Sequence, residues 1–308
     1  MGGLTRVRLG YTPPPEALTE LRHALADLAV LGLEPDPEAE ILVGGRFDDA
    51  DLDGRSLRAV IVPWAGIPER LAEQLRVRPH VDLHNLHHNA STTAALAVGL
   101  LLSAARGIAE ADRQMRQGVW RGRMTEDRGV LLSGKRATIL GYGAIGHCVG
   151  EVLTALGMTV DGIRRSNRDR LDDALARSHV LVICAPLTPE TRGLIDRQRI
   201  EMLQTPRLLV NVGRGAIVEE RALYECLRDG TLFGAGVDVW YRYPQEGDEA
   251  PVWPSEYPIA DLMNVTLSPH RAGDGEGIEG LRAQAVCSVL RDLCLGRPCR
   301  PVDLDRGY

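Results

Sequence analysis

Short apolar runs alternate with amphipathic segments over the first part of this chain. Four apolar runs have the length of buried strands, at 7–11, 41–43, 57–62 and 81–83. Two amphipathic segments have the apolar spacing of helices, at 15–31 and 68–75. Because strands that alternate with helices form parallel sheets covered on both faces, we predict a small α/β domain here.

A densely apolar segment, 89–106, predicts a helix buried between layers or between subunits. A polar helix is predicted over 109–118. From residue 138 the alternation resumes, with predicted strands at 138–140, 158–163, 180–183, 208–212, 234–240 and 265–267. Predicted helices lie at 171–177, 197–203, 219–228 and 280–295. This order is typical of a doubly wound parallel sheet, whose ligands bind beyond the carboxyl ends of the strands.

A glycine-rich turn joins the strand at 138–140 to a segment of helical spacing. The turn consists of Gly141, Tyr142, Gly143, Ala144, Ile145 and Gly146. In such a turn the first glycine permits the bend, the second lets the backbone approach a pyrophosphate, and the third lets helix and strand pack closely. Free N–H groups and the dipole at the helix N-terminus favour the negative charge. We predict dinucleotide binding; the alternative is a glycine turn that binds no ligand.

Composition narrows the class of protein. A length of 308 residues suggests two domains, and a net charge of −6 gives no basic footprint for nucleic acid. No run of about 18 apolar residues is present to span a membrane, and the N-terminus has no apolar segment of signal-peptide length. The six cysteines form no CxxC pair and no zinc spacing. We therefore expect a reduced, cytoplasmic protein.

Five motifs follow one another along the chain, at 132–146, 185–195, 210–216, 234–240 and 268–270. Together they resemble the D-isomer-specific 2-hydroxyacid dehydrogenase family, which includes glyoxylate/hydroxypyruvate reductases. The resemblance implies a Rossmann-type doubly wound cofactor domain, 99–274, inserted in a smaller flavodoxin-like α/β substrate domain. That substrate domain would consist of 1–98 completed by 275–308. The resemblance also implies a homodimer, with the helix at 90–106 near the dimer contact.

The resemblance places the family's substrate arginine at Arg214 and its acid/base histidine at His270. The implied reaction reduces a small 2-oxo acid to a D-2-hydroxy acid with a nicotinamide cofactor. A guanidinium can hold a carboxylate and polarise a carbonyl, and an imidazole can protonate the new alkoxide near neutral pH. The alternatives are an arginine that only forms a salt bridge and an ordinary surface histidine.

One position departs from the family. Relatives have a glutamate that pairs with the histidine, and here that position is Tyr243. A phenol can orient the imidazole by a hydrogen bond, but it brings no charge at neutral pH. Three interpretations stay open: a reductase with a retuned histidine, which we favour; a substitute acid nearby; or different or absent chemistry. The candidate acids are Glu246, Asp248 and Glu249.

The different chemistry would be a hydride transfer without a proton shuttle, as in the formate and phosphite dehydrogenases of the family. The absent chemistry would be that of a non-catalytic, cofactor-sensing interaction protein, such as the C-terminal-binding-protein corepressors. The presence of both Arg214 and His270 argues against the sensing protein.

Cofactor choice is read at the end of the second strand of the cofactor domain. Arg164, Arg165 and Ser166 stand there, and two guanidiniums with a hydroxyl suit the 2′-phosphate of NADP. Asp161 is the rival candidate, because a carboxylate would bind the ribose of NAD. We favour NADP and keep NAD open; two arginines on a solvated turn are the alternative without a ligand.

The resemblance implies further contacts. On the nicotinamide side the cofactor would meet Ala185, Pro186, Val212 and Asp238. The substrate would meet Trp64, Ala65, Gly66 and Asn89. Trp64 either forms a wall of the substrate pocket or packs under its loop. No metal site is expected, because His84, His87 and His88 lack a shared helical face and matching acids.

Overall fold

The computed structural model describes residues 3–121, 129–245, 247–248 and 252–304, so Glu246 and Glu249 lie outside the described residues. The chain divides into two compact units. The first consists of the residues up to Asn89 together with those from Gly275 onward, and the second runs from Ala90 to Asp274. The first boundary thus falls after residue 89, whereas the sequence placed it after 98.

The first unit contains a five-stranded parallel sheet. Its strands are β1 (Thr5–Leu9), β2 (Ala29–Gly32), β3 (Ile41–Val43), β4 (Ala59–Val62) and β5 (Asp82–Asn85). The helices of this stretch are α1 (Pro15–Ala24), α2 (Asp49–Leu52) and α3 (Glu69–Arg76). The strand order β2-β1-β3-β4-β5 is that of flavodoxin-like folds, which confirms the predicted fold class.

The predicted helix over 15–31 is wrong in its second half. α1 ends at Ala24, and the edge strand β2 follows, paired with β1. Ala29 and Leu31 are buried whereas Val30 is 56% exposed, so burial alternates with the period of two of a strand. The same apolar residues also fit helical spacing, and the pairing with β1 decides the conformation.

The second unit contains a six-stranded parallel sheet. It begins with two helices, α4 (Ala90–Arg106) and α5 (Ile108–Arg116). Its strands are β6 (Arg136–Leu140), β7 (Thr159–Ile163), β8 (Val180–Ile183), β9 (Leu208–Asn211), β10 (Gly234–Val237) and β11 (Val265–Leu267). Its other α-helices are α6 (Ala144–Ala155), α7 (Leu171–Arg177), α8 (Arg197–Met202) and α9 (Glu220–Arg228). The strand order β11-β10-β9-β8-β6-β7 is doubly wound, and the order reverses between β6 and β8.

Alternate residues of the central strands belong to two separate apolar clusters. In β8, Val180 and Val182 pack with α4 and α6, whereas Leu181 and Ile183 pack with α7, α8 and α9. As predicted, α4 is largely buried, and it lies against α6, β9 and β10. This packing explains why the whole helix belongs to the second unit.

Among the described residues, no single helix is both long and apolar enough to cross a membrane. Taken together, α4 and α5 reach the required length and composition, and a 66° bend separates them.

The chain returns to the first unit as α10 (Ile278–Cys294). Ala283, Val286 and Leu290 of this helix join the apolar cluster of β1 and α1. Farther along, Val302 donates a backbone hydrogen bond to Leu83 of β5 (2.7 Å). The first unit is thus built from two separated stretches of the chain.

Candidate active site and cofactor cradle

Two glycines of the turn after β6 are required by the backbone itself. Gly141 has a φ of +93°, and an added Cβ would lie 2.4 Å from the backbone nitrogen of Ala185. At Gly146 an added Cβ would lie 2.3 Å from the carbonyl oxygen of Gly141. The two hydrogens in place of side chains therefore let α6 begin directly at the carboxyl edge of the sheet.

The middle glycine faces open space. Gly143 is exposed, and an added Cβ would meet no atom within 4 Å. It is also the N-cap of α6, and its position supplies no side-chain cap. The N–H groups of the first turn, from Ala144 and Ile145, have no intrahelical acceptor, and the helix dipole favours an anion there. The cradle therefore fits the pyrophosphate of a dinucleotide.

The arginines that follow β7 differ in how they are held. Arg164 Nε donates to the carbonyl oxygen of Tyr142 (2.9 Å), and its guanidinium carbon lies 5.7 Å from the centroid of the Tyr142 ring. Arg165 forms an ion pair with Glu190 (3.9 Å). Ser166 is exposed in the short 3-10 helix that follows. The three residues predicted for a 2′-phosphate thus stand together at the end of β7.

Asp161, the rival candidate for a ribose contact, is engaged elsewhere. Its carboxylate pairs with Arg136 Nη1 on the neighbouring strand β6 (3.0 Å). In the register of the two strands Asp161 lies opposite Thr138, within β7 and not at its end. A carboxylate in an ion pair at mid-strand is poorly placed for a ligand at the carboxyl edge.

The residues predicted beside the nicotinamide follow β8 and β9. Ala185 is buried, and Pro186 is exposed with its carbonyl accepting from Thr191 Oγ1 (2.8 Å). Val212 is buried, and its N–H donates to the carbonyl of Ile183 (3.1 Å). Both segments therefore line the carboxyl edge of the central strands.

Arg214 stands in a turn that Asn211 holds. The buried Asn211 amide donates to the carbonyl oxygen of Arg214 (3.0 Å) and accepts from the N–H of Gly213 (3.1 Å). An added Cβ at Gly213 would lie 2.6 Å from the carbonyl oxygen of Ala185. The guanidinium of Arg214 donates to the carbonyl of Gly213 (2.7 Å). Asn211 was not predicted; its signal is a polar residue that ends an otherwise apolar strand.

His270 follows β11 on a loop that Asp238 fixes. The fully buried Asp238 carboxylate accepts from Ser268 Oγ, from the N–H of Arg271 (3.0 Å) and from the N–H of Ala272 (3.1 Å). These bonds hold the loop on both sides of His270, whose φ is +55°. Both oxygens of Asp238, which was predicted to contact the cofactor, are thus engaged with this loop.

Tyr243 contacts His270 through its ring and not through its hydroxyl. The two ring centroids lie 5.2 Å apart, with the planes at 49°. The hydroxyl accepts from the N–H of Trp240 (3.0 Å), and no hydrogen bond within the described residues joins it to the imidazole. Asp248, one of the candidate acids, accepts from the N–H of Gln245 (2.7 Å). An aromatic contact thus stands where the family resemblance implies a carboxylate.

The surroundings of His270 lower its pKa below the ordinary value of 6.5. Although His270 is exposed at its surface, the protein around it partly desolvates the imidazole, and this is the main cause because it disfavours the charged form. The second cause is the positive charge of Arg214. Asp238 opposes both by favouring the charged imidazolium. His270 is therefore mostly neutral at pH 7, and its proton-donating form grows as the pH falls.

The second unit matches a known domain. Residues 98–272 match the family model described as the NAD binding domain of D-isomer-specific 2-hydroxyacid dehydrogenases. This chain belongs to the D-isomer-specific 2-hydroxyacid dehydrogenase family. The second unit accordingly corresponds to the NAD binding domain of this family.

Relatives of this chain include named reductases. A glyoxylate/hydroxypyruvate reductase from Arabidopsis thaliana is 36% identical over 221 residues, 69% of this chain and 66% of the relative. A glyoxylate reductase from Korarchaeum cryptofilum is 32% identical over 212 residues, 65% of this chain and 61% of the relative. The alignments thus span about two thirds of the length of these curated relatives. A D-isomer-specific 2-hydroxyacid dehydrogenase from Xanthobacter autotrophicus, solved with NADPH and MES, is 25% identical with a TM-score of 0.79 and covers 100% of both chains.

Residues of the first unit fix the loop that carries Trp64 and Ala65. Asn85, the last residue of β5, donates from Nδ2 to the carbonyl oxygen of Ala65 (2.7 Å). The next residue, Leu86, donates its N–H to the carbonyl oxygen of Trp64 (3.3 Å). Ala65 and Gly66 remain partly exposed. Asn85 was not predicted, and its signal, like that of Asn211, is a polar residue at a strand end.

The indole of Trp64 packs on the neighbouring loop that follows β3. An added Cβ at Gly45 would lie 2.3 Å from Cζ2 of the indole, so the ring sits directly on this glycine. The half-buried indole also packs against the apolar cluster of β3, β4 and α3. Asn89 is partly buried at the end of the first unit. No group of three or more His, Cys, Asp or Glu side chains among the described residues could hold a metal ion.

Proposed function

We propose that this dehydrogenase is an NADP(H)-dependent reductase that converts a small 2-oxo acid to the D-2-hydroxy acid. The observation that carries the proposal is the placement of Arg214 and His270 at the same carboxyl edge, after β9 and β11. The strand between them, β10, leads to the segment that bears Tyr243. The reductase names of the relatives support the same reaction class.

Each residue has a stated role in this reaction. A bound nicotinamide supplies the hydride to the carbonyl carbon. Arg214 holds the substrate carboxylate and stabilises the charge that develops on the carbonyl oxygen. His270 in its protonated form donates the proton to that oxygen, which leaves the neutral imidazole. Tyr243 covers one side of the imidazole and adds no charge.

The preference for NADP(H) rests on two observations. Arg164, Arg165 and Ser166 stand together at the carboxyl end of β7, where a 2′-phosphate would meet donors and positive charge. The carboxylate that would favour NAD, Asp161, is paired with Arg136. A solved family member with bound NADPH is compatible with this preference.

We further propose that the dehydrogenase is a cytoplasmic homodimer. α5 has no buried residue in the described chain, and apolar side chains are exposed on it and just after it: Ile108, Met115, Val119 and Trp120, the last at 80%. Such a patch favours a protein partner, and the resemblance to a typically dimeric family favours a second copy. The six free thiols favour a reducing compartment.

The oligomeric state is tested by sedimentation of the purified chain and of two variants. Trp120→Glu is expected to yield monomers, because a charge would replace a large exposed indole in the contact. Trp253→Glu is the matched control, since Trp253 is also exposed, at 69%, and lies elsewhere. A wild-type monomer at every concentration, or a Trp120→Glu dimer, would overturn the proposed contact.

The activity is tested by NADPH and NADH oxidation with glyoxylate, hydroxypyruvate, pyruvate and an aromatic 2-oxo acid. We expect turnover with at least one of them, higher kcat/KM for NADPH, and a D-configured product by chiral chromatography. Oxidation of formate or phosphite with NADP⁺, without oxo-acid turnover, would replace this reaction by one that needs no proton shuttle. Cofactor binding without any turnover would favour a sensing protein.

A further inference from the structure

The phenol ring of Tyr142 rests on two glycines. An added Cβ at Gly162 of β7 would lie 2.5 Å from Cγ of the ring, and one at Gly150 of α6 would lie 2.8 Å from its hydroxyl oxygen. Real Cβ contacts are essentially never that short, so a side chain at either position would displace the phenol. The sequence thus reserves a place for this ring between α6 and β7.

Arg164 is held against this ring. Its Nε donates to the Tyr142 carbonyl oxygen (2.9 Å), and its guanidinium carbon lies 5.7 Å from the ring centroid, within cation–π range. The ring of His147 also contacts the phenol, with the centroids 5.8 Å apart. Arg164 is exposed, and a free arginine side chain would sample many rotamers. Two contacts to one residue restrict that freedom.

The donors on both Nη atoms of Arg164 stay available. Within the described residues, the hydrogen bond to Tyr142 uses Nε, and no ion pair involves Arg164. Arg165 differs, because it pairs with Glu190. Of the two arginines, Arg164 is the one that is both oriented and open to an anion.

We propose that Tyr142 is a positioning residue for cofactor choice. Its ring and carbonyl hold Arg164 so that the guanidinium meets the 2′-phosphate of NADP(H) with little further loss of rotamer freedom on binding. This inference rests on the proposed preference for NADP(H), and it adds a determinant inside the glycine turn. The effect is confined to the phosphorylated cofactor, since NAD(H) has no 2′-phosphate for Arg164 to bind.

The test compares Tyr142→Leu with Tyr142→Phe. Dissociation constants of NADPH and NADH are measured by quenching of protein fluorescence, and kcat/KM for both cofactors with one 2-oxo acid. Tyr142→Leu is expected to lower the NADPH/NADH preference about fivefold, the size of a cation–π contact at an exposed site. Tyr142→Phe keeps the ring and is expected to keep the preference. Gly162→Ala, which displaces the ring, is expected to act like Tyr142→Leu.

The matched control is Tyr224→Leu. The guanidinium carbon of Arg228 lies 5.3 Å from the ring centroid of Tyr224. The variant therefore removes the same kind of cation–π pair at a place outside the glycine turn. This variant is expected to leave the cofactor preference unchanged. A second check is the pair Arg164→Ala with Tyr142→Leu: if Tyr142 acts through Arg164, the double variant loses no more preference than Arg164→Ala alone.

The outcomes separate this inference from the proposal on which it rests. A wild-type enzyme that prefers NADH overturns the NADP(H) preference itself. A wild-type enzyme that prefers NADPH, with a Tyr142→Leu variant that weakens both cofactors equally or neither, overturns the positioning role and leaves the preference standing.

Discussion

The ring of Tyr243 lies against the imidazole of His270, while its hydroxyl is turned to the backbone of Trp240. A glutamate at this position would place a negative charge beside the imidazole and raise the pKa of His270. The phenol instead adds no charge, and desolvation of the imidazole by the surrounding protein together with Arg214 lowers the pKa of His270 below 6.5. The acid/base histidine is thus expected to act in a more acidic range than one paired with a carboxylate.

The pH profile of reduction tests this expectation. Reduction needs protonated His270, so kcat/KM falls as the pH rises through the pKa of His270, which lies below 6.5 in the wild type. Tyr243→Glu is expected to move this falling limb to higher pH, because a carboxylate favours the imidazolium. The profile of kcat/KM for the 2-oxo acid under saturating cofactor measures the shift.

Tyr243→Phe is the control for this prediction. It removes the hydroxyl bonded to Trp240 and retains the aromatic contact, so its falling limb is expected to stay near that of the wild type. Identical limbs for Tyr243→Glu and the wild type would show that position 243 does not tune His270.

Removal of the Arg214 guanidinium is expected to abolish most of the activity. Arg214→Ala is expected to lose at least about 100-fold in kcat/KM, because the transition state then lacks the cation that stabilises the developing oxyanion. Arg214→Lys keeps the charge but not the two-pronged geometry, so we expect an intermediate loss. Steady-state kinetics measure both, and unchanged NADPH binding by fluorescence shows that the cofactor domain is intact. Near-normal activity in Arg214→Ala would remove Arg214 from the mechanism.

Substitutions at two glycines of the same turn are expected to lower different properties, cofactor affinity in one case and thermal stability in the other. At Gly143 an added methyl group meets open space, so Gly143→Ala folds normally and loses cofactor affinity, about tenfold or more, if the pyrophosphate lies there. At Gly141 both the φ of +93° and the contact with Ala185 oppose a side chain. Gly141→Ala is therefore expected to lower the melting temperature. Thermal unfolding and NADPH titration of both variants separate the effects, and tight NADPH binding by Gly143→Ala would contradict the cradle.

Buried histidines are expected to destabilise the fold in mild acid. His84 is buried, its Nε2 has no hydrogen-bond partner in the described chain, and burial lowers its pKa below 6.5. In mild acid the unfolded chain then binds more protons than the folded one. The stability that His84 contributes above its unfolded-state pKa is therefore lost as the pH falls from that pKa through its lower folded-state pKa. One such group contributes at most about 1.4 kcal/mol per pH unit.

Urea unfolding at neutral and mildly acidic pH measures this loss. His84→Gln removes the titrating group and is expected to give a flatter dependence of the free energy of unfolding on pH. His80→Gln, at an exposed position, controls for the loss of an imidazole. An unchanged slope in His84→Gln would mean that other groups cause the acid sensitivity.

Most of the fold could be predicted because the periodicity of apolar residues agrees with the positions of the Gly and Pro residues that end each run. The buried strands β8 and β9 are apolar runs that end at Pro186 and Gly213, so their position leaves little choice. The edge strand β2 is different. Its four residues fit both helical and strand periodicity, and only the pairing with β1 decides that they form a strand. Propensity and spacing are local, whereas this pairing joins segments that are far apart in sequence.

The sequence could predict where the candidate residues follow strand ends, but not which contacts they make. Arg214 and His270 follow strand ends, and a doubly wound sheet brings such ends to one edge. The pairing of Asp161 with Arg136 depends on the register of β6 with β7, which spacing does not reveal. The sequence allowed a hydrogen bond from the hydroxyl of Tyr243 to the imidazole, whereas in the structure this hydroxyl accepts from the backbone N–H of Trp240.

The left-handed backbone of His270 sets a limit on how this enzyme can be improved. At a φ of +55° glycine avoids a backbone strain that histidine bears, on the order of 1 kcal/mol. A library selected for heat resistance alone should therefore enrich glycine at position 270 and remove the proposed acid/base residue. Directed evolution of the protein for industrial use would need a turnover assay in every round of selection. The reason is that thermal stability and the proposed acid/base role favour different residues at position 270.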